Sequence, residues 1–381
     1  MDEKPHFTTI KQWILRYSVH QIQKPLAQSD DWIAIGDVTI DLGRMKCLAV
    51  VGLQKQKLDE KGDFKLRHSD VNVLALQSTK NCNGTFVHSV LEQASNRVGS
   101  FHSIITDQGA DVTKGAKLYQ EKHKETILLH DIDHKLSLLM EHDLDPDPEW
   151  NRYREMCSKT RNSVKQTELA AISPPPKRLK ARYMDIKDFV YWPERILKSK
   201  REGRLNSISE ERYQKYLSWV DEFEKPAMKW QFKYEIVNRI RCYNQEYGLS
   251  KAVLEDLEEF FKGANIENED LEKFIAKALE IVRVEVNKLK DNSETLASTG
   301  VIESIFGKYK EINSGHKGIS GNILSILCFT GSKLIDKELK SIMETNSVKK
   351  ATAWVKEKVG ETLGGLKRQF LGKPVRQNLT A

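Results

Sequence analysis

Asp37 interrupts an almost continuous apolar run, Ile33-Ala34-Ile35-Gly36-Asp37-Val38-Thr39-Ile40. A carboxylate inside a buried strand is costly unless something pairs with it. It either bonds local backbone at a bulge or is a metal ligand displayed by a rigid strand. Asp107 follows a second apolar run, His102-Ser103-Ile104-Ile105-Thr106, and Gly109 comes two residues later. Together the two aspartates offer hard oxygen ligands of the kind Mg²⁺ prefers. Asp41 rivals Asp37 but falls in a turn. Asp111 rivals Asp107 but opens a helix, where capping is its ordinary use. Glu303 and Lys310 lie seven residues apart on a helical stretch and so share a face. Surface helices carry many glutamates, and Lys310 reads either as a phosphate contact or as a solvated lysine.

The elements around these residues follow from the hydrophobic pattern. The first run and Met45–Leu53 flank a polar turn and read as a hairpin in a sheet covered on both faces. Val71–Leu76 is a third strand, and Thr85–Val98 an amphipathic helix stopped by Gly99. A fourth strand ends at Thr106, a helix spans about 112–123, and a fifth strand, Thr126–His130, ends at Asp131. The order β-β-β-α-β-α-β-α predicts a ribonuclease-H-like mixed sheet with three antiparallel and then two parallel strands. In that topology the fourth strand lies beside the first, which brings Asp107 near Asp37.

Beyond Asp143 the strand signals fade. The expected organisation is an N-terminal helical arm over 1–30, either a packing arm or a remnant of a helix-turn-helix domain. The first part of the α/β domain follows over 31–145, an all-helical insertion over 146–295, and a closing helix with a basic helical tail over 296–381. Residues 159–204 hold thirteen lysines and arginines against five acids, a net +8, while the whole chain is +7. Lys177, Arg178, Lys180 and Arg182 follow three prolines, and Tyr183, Phe189, Tyr191 and Trp192 are interleaved with the cations. Cations for phosphates and flat rings for bases suit a DNA groove; the alternative is a solvated helical face over core aromatics. Trp192, Trp219 and Trp230 read first as core, with stacking on a flipped base as the alternative. Five scattered cysteines without a C-x-x-C pair fit a reducing compartment. No apolar stretch reaches transmembrane length, so the expectation is a cytoplasmic protein with no membrane partner.

Asp37-Val38-Thr39-Ile40, Thr106-Asp107-Gln108-Gly109 and Ile302-Glu303-Ser304-Ile305-Phe306-Gly307-Lys308-Tyr309-Lys310 resemble the three acidic motifs of DDE transposases from bacterial insertion sequences. Asp131-Ile132-Asp133-His134 is similar to the Asp-x-x-His signature of members with a helical insertion, such as the hAT superfamily, and the 196 residues between Asp107 and Glu303 suit that class. Where some families carry a tyrosine and an arginine before the glutamate, this chain has Leu296 and Thr299.

The resemblance implies Asp37, Asp107 and Glu303 as catalytic metal ligands for two Mg²⁺ ions, with Mn²⁺ as a substitute, Asp37 bridging. Two such ions stabilise the attacking and leaving oxygens of an in-line displacement. Water makes the nick and the freed 3′-hydroxyl makes the join. Asp131 and His134 are expected to steady the site or touch DNA, and a zinc site of His130, Asp131 and His134 lacks a fourth ligand. The implied partners are transposon-end and target DNA and a second copy of the chain, in the bacterial nucleoid. Two other functions fit the same motifs: a structure-specific nuclease that cuts without joining, and a catalytically dead DNA-binding derivative.

Overall fold

The computed structural model describes residues 4–40, 46–176, 186–206, 208–264, 268–290, 293–312, 321–331, 334–358 and 369–372. The chain divides into two compact units. A sheet unit comprises 1–131 and 295–381, and a helical unit comprises 132–294. In chain order the sheet unit contributes α1 (Phe7–Gln23), β1 (Trp32–Ile40), β2 (Lys46–Gln54), α2 (Lys55–Lys61), β3 (Asn72–Thr79), α3 (Gly84–Val98), β4 (Phe101–Thr106), α4 (Ala110–Lys122) and β5 (Ile127–His130). The helical unit supplies α5 (Ile132–Leu144), α6 (Pro148–Val164), α7 (Lys187–Arg201), α8 (Glu210–Tyr216), α9 (Glu224–Tyr247), α10 (Lys251–Gly263) and α11 (Glu269–Val286). The sheet unit resumes with α12 (Gly300–Ile312), a 3-10 segment (Gly321–Phe329), α13 (Asp336–Thr345) and α14 (Val348–Lys358). No described helix is long and apolar enough to cross a membrane.

The sheet runs β3-β2-β1-β4-β5. β1 pairs antiparallel with β2, β2 antiparallel with β3, and β1–β4 and β4–β5 are parallel. This is the strand order and polarity of a ribonuclease-H-like sheet. Alternation along β1 explains the unbroken apolar run. Trp32 and Ala34 join Leu48, Val50, Ile104 and the inward residues of α3 and α4 in one core. Ile33 and Ile35 point the other way and are equally buried. On that second side α12 packs against β1, and α1 against β3 and the 3-10 segment.

The N-terminal arm is a packing helix. Arg97 at the end of α3 donates to the carbonyls of Val73 (2.9 Å) and Leu74 (3.3 Å) and, through its other nitrogen, to that of Lys24 (2.8 Å). One half-buried guanidinium thereby binds the end of α1 to β3. Gly99 ends α3 at φ +101°, and a Cβ there would come 2.2 Å from the carbonyl oxygen of Ser29, so only glycine fits.

In the helical unit, Trp150, Tyr153, Phe189, Phe223 and Trp230 pack ring to ring, and Trp192 stacks on Trp219 with centroids 5.7 Å apart. Asp147 starts α6: its carboxylate accepts the amides of Glu149 (2.8 Å) and Trp150 (3.4 Å) and the Trp230 indole N–H (3.2 Å). Lys233 is buried and paired with Asp143 (2.6 Å) and Asp270 (2.7 Å). The first of these acids lies in the last turn of α5. α5 packs on α9 and α11. The helical unit therefore begins at Ile132, not at 146 as expected, because the apolar stripe of α5 is buried in the helical core.

Candidate carboxylate site at the strand ends

Asp37 and Asp107 are brought side by side by the register of β1 and β4. Ile35 pairs with Ile105 and Gly36 with Thr106, so the next step along both parallel strands reaches the two aspartates. Neighbouring strands are about 4.8 Å apart. Both residues share the parity of Ile33, Ile35 and Ile105, which places them on the side of the sheet where α12 packs. Asp37 is 7% exposed. Its Oδ1 accepts the amide of Val38 at 2.6 Å.

The turn after Asp107 is fixed by its own chemistry. Asp107 Oδ1 accepts the amide of Gly109 at 3.0 Å, an Asx-type turn leading into α4. Gln108 between them has φ +66° and is the only non-glycine residue with positive φ among those described. A side chain held in the left-handed region costs on the order of 1 kcal/mol. The positive end of the α4 dipole faces this turn and favours a negative charge there. Asp111 lies in the first turn of α4 and makes no side-chain cap; Gly109 occupies the cap position.

Glu303 is linked to the sheet through Asp131 and Thr299. The Asp131 amide donates to the carbonyl of Thr106 at 2.9 Å, extending the β4–β5 ladder to the residue before Asp107. Its side chain is 1% exposed, and Oδ2 accepts both the amide (3.0 Å) and the hydroxyl of Thr299. Thr299 precedes α12 by one residue, and its Oγ1 stands 3.1 Å from Glu303 Oε1 one turn on. A hydroxyl has one proton, so the shorter contact to Asp131 claims it. Asp131 thus anchors the start of the helix that carries Glu303 and joins it to the strand end that carries Asp107. Thr299 is the residue that sequence reasoning missed. The only available signal was a capping-type residue four positions before the glutamate, where some families place arginine.

The remaining expected residues scatter. Lys310 is exposed on α12 and pairs with no acid among the described residues. His134 lies on α5, in the helical unit. Lys177, Arg178, Lys180 and Arg182 lie outside the described residues. The neighbouring cations of the basic window are mostly neutralised: Lys159 by Glu155 (2.6 Å), Arg195 by Asp188 (3.1 Å), Lys200 by Asp221 (3.3 Å), Arg201 by Glu224 (2.8 Å), and Arg204 by Glu202. Phe189 and Trp192, expected as possible base platforms, are buried, as are Trp219 and Trp230. Tyr191 donates to Glu235 at 2.6 Å, and burial together with that carboxylate raises its pKa.

Among the described residues no three His, Cys, Asp or Glu side chains converge closely enough to hold a metal ion unaided. That applies equally to the zinc set His130, Asp131 and His134. For Mg²⁺ such a cage is not required. The ion keeps several waters and is usually held by one or two carboxylates plus substrate phosphates. Two aspartates on adjacent strand ends have the right donor atoms and placement for that role.

No protein-family model matches the sequence, and no curated protein matches it. Among solved structures the chain is similar to a Drosophila P element transposase strand transfer complex, with a TM-score of 0.39 and 11% identity over 85% of this chain and 84% of that one.

Proposed function

We propose that the sheet unit cleaves DNA phosphodiester bonds and transfers the freed 3′ end to a target strand, as a DDE-type transposase of a bacterial insertion sequence does. One observation carries this reading: the β1–β4 register sets Asp37 and Asp107 beside each other at the ends of parallel strands, on the side where α12, the helix that carries Glu303, packs. Two adjacent carboxylates repel unless a cation lies between them. Asp37, Asp107 and Glu303 would hold Mg²⁺ only together with water and the substrate phosphate, and the ion when bound supplies Lewis-acid stabilisation of the oxygens on phosphorus. The chain's own part is positional. Asp131 and Thr299 fix the start of α12, and the Asx turn at Asp107 fixes the strand end. A homodimer pairing two DNA ends belongs to the same proposal.

The test is a nicking and joining assay with Mg²⁺ on DNA carrying the sequences that flank this reading frame, wild type against Asp107→Asn. Nicking with joining, both lost in the variant while DNA binding persists, supports the transposase. Nicking without joining assigns a nuclease instead. Binding without any reaction assigns a DNA-binding derivative.

A further inference from the structure

An open cleft of about 490 Å³ lies in the sheet unit, lined by Arg67, His68, Ser69, Gly300, Ser304 and Phe329 among others. Its chemistry is cationic and hydrogen-bonding. The acids nearby are already engaged: Lys61 pairs with Asp63 (2.5 Å) and Asp70 (3.4 Å), and Asp70 also accepts the Arg67 amide at 2.8 Å. The Arg67 side chain is exposed and has no ion-pair partner among the described residues. His68 is fixed on two sides, with Nε2 3.0 Å from Ser304 Oγ and its ring edge-on to Phe329 at 6.4 Å. Burial, and then the charge of Lys308, lower its pKa, so at neutral pH it is an uncharged hydrogen-bonding group. Gly300 opens α12, whose dipole is positive at this end; its amide donates to Ser298 Oγ at 3.1 Å, and the amides of Ile302 (3.0 Å) and Glu303 (3.3 Å) donate to the carbonyl of Thr299.

We propose that this cleft holds one backbone phosphate of the DNA strand on which the carboxylate site acts. Arg67 provides the charged fork, and Ser69, His68 and Ser304 provide hydrogen bonds. The inference rests on the proposed function for the identity of the strand, but not for the chemistry of the cleft. Ser304 follows Glu303 on α12, so one helix carries both a residue of the cleft and the third carboxylate of the proposed site.

The test uses the full chain with two probes, inorganic phosphate and a short fluorescent single-stranded DNA. The His68 ring resonance, assigned through His68→Gln, reports occupancy, and anisotropy over a salt series reports affinity. Both probes should move the His68 resonance saturably. Arg67→Gln and Ser304→Ala should each suppress the movement caused by phosphate. Arg67→Gln should also weaken DNA binding roughly 3- to 10-fold and reduce the salt slope by about one. DNA that binds with unchanged affinity and slope in Arg67→Gln, leaving His68 unmoved, overturns the proposal without touching the carboxylate assignment. Movement with phosphate but not with DNA also overturns it, and assigns a free-phosphate site. A response of His68 and of the Arg67 slope in a protein that does not nick DNA upholds the cleft and refutes the catalytic reading alone.

Discussion

Both units pair cations with acids, the sheet unit at Lys55 with Asp59, Lys61 with Asp63 and Lys122 with Glu92, but they differ in which cations are left over. In the helical unit, cations meet acids: Lys200 reaches Asp221, Arg201 reaches Glu224, and even the buried Lys233 is held between Asp143 and Asp270. In the sheet unit, Lys46 at the start of β2 and Arg67, Lys308 and Lys310 around α12 pair with no acid among the described residues. Among the described residues of the basic window, Lys159, Lys200 and Arg201 are met by acids from outside it. Charge counted along a chain is not charge presented to a partner, because a fold can bring acids from outside the window to cancel it.

The largest test of this contrast is catalytic. Asp107→Asn should lower the Mg²⁺-dependent nicking rate by roughly 10²- to 10⁴-fold, the scale of several kcal/mol of lost charge stabilisation, with the melting temperature nearly unchanged. An active variant would remove Asp107 from the site. Next comes packing. Trp230→Ala, in the buried ring cluster of the helical unit, should cost about 3–5 kcal/mol in chemical denaturation. A loss below about 1 kcal/mol, on that same scale, would mean that the rings are a binding platform and not a core.

Smaller effects sharpen the comparison. Thr299→Val leaves Asp131 without the hydroxyl it accepts, which should cost about 1–3 kcal/mol of stability. It should also slow nicking severalfold, with Thr299→Ser restoring both. Recovery of stability without recovery of rate would show that the hydroxyl does not position Glu303. The Lys233 ammonium, and after it that of Lys229, hold the Asp270 carboxyl below its ordinary pKa. A depressed folded-state pKa contributes stability above the unfolded value of about 3.9 and loses it as pH falls through the lower folded value. Near-ultraviolet circular dichroism of the helical unit's rings should therefore weaken below about pH 4, and Asp270→Asn should remove that step. The smallest effect belongs to the exposed pairs. Arg201→Ala should change stability by less than about 1 kcal/mol and leave the salt slope of DNA binding unchanged. A drop equal to that of Arg67→Gln would erase the distinction between the units.

The strands were legible because their apolar runs are long and bounded by turn residues, and the β-β-β-α-β-α-β succession was enough to set β4 beside β1. The pairing of Asp37 with Asp107 follows from that topology. Other features could not be read. α5 has an ordinary amphipathic pattern, and a pattern reveals that a face is buried without revealing which core buries it. Asp221 and Glu224, which meet Lys200 and Arg201, lie outside the window 159–204, so a charge count over that window does not include them. The Asp131–Thr299 contact joins residues far apart in sequence whose types, a carboxylate and a hydroxyl, are common everywhere. No local rule links them.

That contact has a consequence for the chain as a polymer. The sheet unit gives up its chain after Asp131 and recovers it at Thr295, and hydrogen bonds from Thr299 to Asp131 tie the two crossings together. The entropy cost of closing a loop grows only with the logarithm of its length. With its ends tied, the helical unit is to the sheet one more loop, and a turn or a whole helix could be added to it at little cost to the strands on which the carboxylates stand.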